Sequence, residues 1–259
     1  MDLDLYKINQ SIHHSKNWLL NSGIQNNKKN NKFYGSVNAW YDSKRRSYSF
    51  VYSEINGYFL TMMVYLYKQN GNKLYLDRAV SAAKWLIKNA QHTNGGFKCL
   101  FMIDKKSPHQ FKEDLIYSFD NGVILNGLCS LYKITKKYFL LNSANKCANW
   151  LVDCCLDKNF NIKPVYDFKE NKFYESDKEW STVSGSYHTK IALGLTNYYS
   201  IKKKRKIKKI IDGICQNAMK QQTFDGRFVS FCSTCASCAS ICASTRRSQI
   251  KNASTASFA

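Results

Sequence analysis

The chain has 259 residues, 44% of them hydrophobic and 14% aromatic, which is enough apolar material to fill the core of one domain, or of two small ones. Lysine and arginine exceed the acids by a formal +21, which either points to a polyanionic partner (an acidic glycan, a nucleic acid, a membrane surface) or reflects Lys- and Asn-rich helix faces in water. No window approaches the ~20 apolar residues of a membrane span. The opening MDLDLYKINQ carries two acids and no apolar core, so neither a spanning helix nor a signal peptide is expected.

Residues 5–21 read as an amphipathic helix, with Leu5, Ile8, Ile12, Trp18 and Leu19 at helical spacing. The polar run at 26–32 is a surface loop. Trp40, Tyr41 and Asp42 follow, an aromatic-acid cluster outside any periodic segment; it suits a binding edge, or a tryptophan packed beneath a loop. Residues 53–97 form a helical hairpin. Its inner helix, 57–67, is apolar on nearly every side and therefore buried, and its partner, 74–89, is amphipathic.

That hairpin recurs. A shift of 65 residues places YLYK (from Tyr65) on SLYK (from Ser130) and Trp85-Leu86 on Trp150-Leu151; a further shift of 67 reaches Asn197 and Tyr198. The second hairpin spans 118–164 and the third 184–228. The third holds the run KKKRKIKK at 202–209, expected as the solvated face of an outer helix with Ile201, Ile207, Ile210 and Ile211 inward. Pro108 and Pro164 fall between the helical blocks and strand-like alternation is scarce, so the expected class is all-α, with concentric layers of helices.

In register, Ile55-Asn56-Gly57, Asp120-Asn121-Gly122 and Tyr187-His188-Thr189 are equivalent, each at the start of a buried helix. If those starts converge on one rim, Glu54, Asn56, Asp120, Asn121, Tyr187 and His188 face a common cavity. Carboxylates, a phenol and an imidazole around a concave site are groups used for proton transfer on sugars. Helix capping explains Glu54 and Asp120 equally well. His188 is a poor N-cap, which favours a site role for it.

The segments SEINGYF, SFDNGVILNGLCSLY, SGSYHTKIALGL and LYLDRAVSAAKWL together resemble six-hairpin (α/α) toroid proteins of carbohydrate metabolism. The resemblance covers about residues 5–228. It extends to uncharacterised toroid proteins found with polysaccharide-biosynthesis machinery and, more distantly, to uronate C5-epimerase C-terminal domains and unsaturated glucuronyl hydrolases. It implies that Glu54, Asp120, Tyr187 and His188 line the central cavity, but not which of them is catalytic, since one fold hosts many chemistries.

A closed toroid of this type needs further helices after residue 228. The chain instead enters a stretch dominated by Ser, Thr, Ala and Cys, so residues 230–259 are expected to be a low-complexity tail, disordered or out of frame. Cys232, Cys235, Cys238 and Cys242 have iron–sulfur spacing, yet the repeated Cys-Ala-Ser triplet and the missing following proline speak against a cluster. The remaining cysteines are scattered through helical segments, which fits reduced thiols and a cytoplasmic location.

The leading functional expectation is an enzyme acting on an oligo- or polysaccharide, with acidic sugars favoured by the charge: a glycoside hydrolase, lyase or epimerase. Asp120 and His188 are the acid/base candidates and Tyr187 a secondary donor. Glu54, Asn56, Asn121 and Asp42 bind substrate, and Trp40, Tyr41, Tyr58 and Trp180 stack on sugar rings. A non-catalytic glycan-binding or scaffold module would use the same aromatics. A basic nucleic-acid-binding repeat rests on charge alone and ranks last. No phosphate loop, zinc spacing, Asp-rich metal motif or nucleophile elbow is present, so no cofactor is expected and a divalent ion stays open.

Overall fold

The computed structural model describes residues 4–105, 112–174 and 180–228. Pro108, the Trp180 side chain and the cysteine run at Cys232, Cys235, Cys238 and Cys242 lie outside the described residues. Helix α1 (Leu5–Asn21) is capped by Asp4, whose carboxylate accepts from the Lys7 N–H; none of its residues is buried. After it come three hairpins: α2 (Ser53–Asn70) with α3 (Lys73–Trp85), α4 (Ser118–Thr135) with α5 (Tyr138–Asp153), and α6 (Lys190–Lys202) with α7 (Arg205–Met219).

Each inner helix stops in the same way. Gly71, Lys136 and Lys203, equivalent in the repeat, adopt left-handed backbone (φ 72, 54 and 53°) and return their N–H to Tyr67, Tyr132 and Tyr199. Lys203 therefore breaks the 202–209 run expected on one helical face. Helix α7 starts only at Arg205; beyond the break Ile207 and Ile210 are buried as expected, and Ile211, like Ile201 on α6, is partly buried against the core.

The inner helices form one layer, with α4 between α2 and α6, and each outer helix covers its own inner partner. Glycine sets the spacing of that layer. A Cβ on Gly57 would lie 2.9 Å from the Ile124 Cα, and one on Gly122 would lie 2.7 Å from the Ile191 Cα. From the other side, a Cβ on Gly127 would lie 2.6 Å from the Gly57 carbonyl oxygen, and one on Gly194 would lie 2.2 Å from that of Gly122. Backbones that close leave no room for any side chain. The equivalent places on the outer faces of the layer are Met62, exposed on α2, and Thr189, just before α6.

The same register governs the loops that follow the outer helices. Gly35 and Gly95 take φ of 96 and 104°, and a Cβ on either would lie 2.5 Å from a carbonyl oxygen, of Ser81 and Lys146 respectively. In the third unit the positive-φ residue is Phe160 (φ 62°), and the helix residue it meets is Gly213. Bulk has moved from the helix to the loop, so the contact is kept with its partners exchanged.

Strands are more numerous than the sequence pattern suggests. β1 (Asn38–Asp42), β2 (Ser47–Tyr52) and β3 (Leu100–Met102) form one antiparallel sheet in the order β1-β2-β3; β4 (Leu115–Tyr117), β5 (Val165–Asp167) and β6 (Lys172–Tyr174) form another in the order β4-β5-β6. At three to six residues they are too short to display alternation. Trp40, Tyr41 and Asp42, read as loop, are strand residues. The dominant class remains helical.

Replacing Gly194 by alanine should force α4 and α6 apart and lower the unfolding free energy by about 1–3 kcal/mol. A urea midpoint equal to that of the wild type would show that the seam is looser than drawn here.

Candidate functional site

Two strands run directly into inner helices: β2 ends at Tyr52 and α2 begins at Ser53, and β4 ends at Tyr117 and α4 begins at Ser118. The repeated string Y-S-x-x-N-G marks both junctions. Neither tyrosine caps its helix through the side chain. Ser118 Oγ instead donates to the Lys163 carbonyl at 2.5 Å, and the Asn of each string looks backward. Asn56 accepts from the Val37 N–H (2.9 Å) and donates to the carbonyls of Val37 and Tyr52; Asn121 does the same with Phe97 (2.7 Å) and Tyr117. These amides are wholly buried and are spent clamping the preceding loop to the helix start.

With the junctions fixed, their first turns border a cavity of about 900 Å³ lying between the two sheets. One sheet contributes Trp40, Phe50, Tyr52 and Leu100; the other contributes Leu115, Tyr117 and Tyr174. The helix starts add Glu54, Phe119 and Asp120, with Lys112, Thr182 and Tyr187 at the sides. Trp40 holds φ 54°, a left-handed conformation rare for a bulky residue and costing of order 1–3 kcal/mol. Its indole sits at the cavity and is 58% exposed.

Asp120 dominates the electrostatics. It is buried, and among the described residues its Oδ2 has no hydrogen-bond partner; the Tyr52 phenol beside it favours the charged carboxylate. Burial, joined by the nearby Glu54 charge, drives its pKa well above the usual carboxylate range. Burial also raises Glu54, while the Tyr58 O–H and the Lys190 ammonium pull it back down. Tyr52 and Cys99 are pushed far up by burial, with Asp120 adding to both, and so stay neutral. Burial lifts Tyr187 to about 12. On the far wall Lys112 is bonded to the buried Asp167 and holds that carboxyl below its ordinary value.

The structure thus brings Glu54, Asp120, Tyr187 and Trp40 together, with Tyr58 behind Glu54. Of the other expected residues whose side chains are described, none lines the cavity. Asn56 and Asn121 are clamps. Asp42 accepts from the Lys44 and Arg45 N–H groups and so orders the hairpin tip, and Tyr41 packs edge-on against Tyr48 at 5.1 Å. His188 is buried, with the Tyr187 ring 4.0 Å away, and its Nδ1 accepts from the N–H of Gly185, the N-cap, so the imidazole closes the turn from the third position rather than standing at the cap itself. Trp180 opens a single 3-10 turn, Trp180–Thr182. Sequence reasoning missed Tyr52, Tyr117, Phe119, Tyr174 and Lys112; the first two were available in the repeated string. Among the described residues no group of three or more His, Cys, Asp or Glu could hold a metal ion.

Residues 35–139, which carry Trp40, Glu54 and Asp120, match the sequence model of glycosyl hydrolase family 76. Among solved structures, the chain is similar to cellobiose 2-epimerase from Bacillus thermoamylovorans (15% identity, TM-score 0.64, covering 83% of this chain and 57% of that one). It is similar also to cellobiose 2-epimerase from Spirochaeta thermophila (13%, 0.62, 85% and 56%) and to a family 76 mannosidase from Bacteroides thetaiotaomicron (16%, 0.54, 66% and 45%). The fold is the (α/α) toroid of glycoside hydrolases and sugar epimerases. The chain spans about half the length of these toroids. A search of curated proteins finds no match. In the toroid the cavity lies at the N-terminal ends of the inner helices, where the repeat brings equivalent positions side by side.

His188 offers a check on this half of the site. Burial lowers its pKa to about 4 from an ordinary 6.5, so the folded toroid holds it neutral while the unfolded chain takes up a proton between those values. Its contribution is full above pH 6.5 and is lost as the pH falls toward 4, by on the order of 3 kcal/mol. The difference in unfolding free energy between wild type and His188→Gln should therefore grow from pH 4 to 7; a flat difference would place the imidazole in solvent.

Proposed function

We propose that this toroid performs acid/base chemistry on a sugar unit of a glycan, with Asp120 the proton donor and Glu54 the second carboxyl group. One observation carries the reading: a buried carboxyl whose Oδ2 meets no donor among the described residues lines a sugar-sized, aromatic-walled cavity beside a second acid. A carboxyl kept protonated near neutrality can deliver its proton to a glycosidic or ring oxygen, and an ionised neighbour can take one or support positive charge at the sugar. The family 76 match over residues 35–139 favours glycosidic cleavage over epimerisation. Trp40, Tyr117 and Tyr174 supply faces for sugar rings. Tyr187 is a secondary donor, its phenol now given to the Val183 carbonyl at 2.8 Å.

The formal charge of +21 supports an acidic glycan as substrate. Cys99, Cys129, Cys147 and Cys155 are free and buried, which supports the reducing, cytoplasmic setting expected from the sequence; there, such chemistry would serve polysaccharide assembly. No helix among the described residues is long and apolar enough to cross a membrane.

Incubation with a panel of neutral and uronate-containing oligosaccharides, followed by mass and NMR analysis of products, tests the proposal. Cleavage should fall about 10²–10⁴-fold in Asp120→Asn, and Trp40→Ala should weaken binding about tenfold. Affinity for the acidic members should drop as salt rises. Binding without turnover, equal in wild type and Asp120→Asn, would assign the toroid to a non-catalytic glycan-binding role.

A further inference from the structure

Lys190 belongs to the third repeat, yet its ammonium serves the first. It stands at the start of α6, at the position equivalent to Tyr58 on α2 and Val123 on α4. From there Nζ donates to the Tyr58 phenol, lying 4.6 Å from the centroid of that ring and 5.2 Å from that of Phe119. Tyr58 follows Glu54 by four residues on α2, one helical turn along the same face, and its phenol pulls the Glu54 carboxyl down, so three groups on two helices run together to the cavity. Two aromatic faces hold the cation in place by cation–π attraction without using its other N–H bonds.

A buried carboxyl, Asp120, and a half-buried one, Glu54, that repel one another do not both ionise readily, and their neighbours decide which keeps the proton. Glu54 faces Tyr58 from its own helix, Lys190 from α6 and Asp120 from α4. Asp120 faces Tyr52 from β2, Cys99 ahead of β3, and Glu54. Among the described residues, the lysine lining the cavity, Lys112, is engaged by Asp167, and Lys190 brings positive charge to the pair from the Glu54 side.

We propose that Lys190 is a positioning residue that, acting through Tyr58, keeps Glu54 as the ionised carboxylate of the cavity and leaves the proton on Asp120. The catalytic consequence rests on the acid/base reading above; the relay itself requires only the geometry. It makes the third repeat, outside the stretch that matches family 76, a determinant of which acid gives a proton and which accepts one.

Side-chain carboxyl titration by 13C NMR, on full-length protein labelled at Glu and Asp, tests this without any substrate. In Lys190→Met and in Tyr58→Phe the midpoint of Glu54 should move up and that of Asp120 should move down, while Lys190→Arg should titrate like wild type. An unchanged Glu54 midpoint in both Lys190→Met and Tyr58→Phe overturns the proposal. Tyr58→Phe removes one oxygen from a half-exposed ring and reads the relay should Lys190→Met fold poorly. With a substrate in hand, the acid limb of the kcat/KM profile should shift to higher pH in Lys190→Met and return in Lys190→Arg. Shifted midpoints with no oligosaccharide processed would uphold the relay and defeat the glycan reading.

Discussion

The close approach of inner-helix backbones at Gly57, Gly122, Gly127 and Gly194 is the constraint from which the rest of the structure follows. Helices separated by side chains would splay by several ångströms, and their first turns would not share one rim. Because glycine lets α2, α4 and α6 touch through backbone, residues from three successive repeats meet: Glu54, Asp120 and Lys190 come within electrostatic reach although they are more than sixty residues apart in sequence. The buried asparagines then tie the starts of α2 and α4 to the loops before them. Position is thus fixed twice, once by absence of bulk and once by hydrogen bonds.

Such rigidity permits an arrangement that would otherwise relax. A buried carboxyl oxygen without a partner costs roughly 1–3 kcal/mol. The left-handed backbone at Trp40 and the buried neutral imidazole of His188 add further strain on the fold. Asp120 and Trp40 line the cavity, and the hydrophobic core runs through every repeat behind it. A partnerless buried oxygen and a strained aromatic at one concavity are what a site whose groups are held ready for a ligand is expected to carry.

The repeat was legible from the sequence because it is written in large residues at fixed intervals, such as Trp85 and Trp150, and in the glycines beside them. Register alone put Glu54, Asp120 and Tyr187 on one rim. The same reasoning erred where one residue type serves two purposes. Asn56 and Asn121 look like polar rim residues, yet their amides turn back to the chain, and orientation is not encoded in spacing. His188 occupies the same register and turns inward for a comparable reason. The sheets escaped notice because strands of three to six residues leave no periodic trace, and with them went Tyr52, Tyr117 and Tyr174. Lys190 was invisible for a different reason: its role depends on a side chain crossing in front of a neighbouring helix, a contact no local pattern records.

Met62 and Thr189 stand where the internal seams have glycine. A second molecule approaching in the manner of one more repeat would have to fit a thioether or a branched side chain into a gap that elsewhere admits only hydrogen. Repetition usually carries a hazard, since any unit that recognises its neighbour can recognise the same unit on another molecule and polymerise without limit. Met62 and Thr189 give the two outer faces bulk that the internal seams lack, so a neighbour meeting either face meets side chain where the internal helices meet backbone.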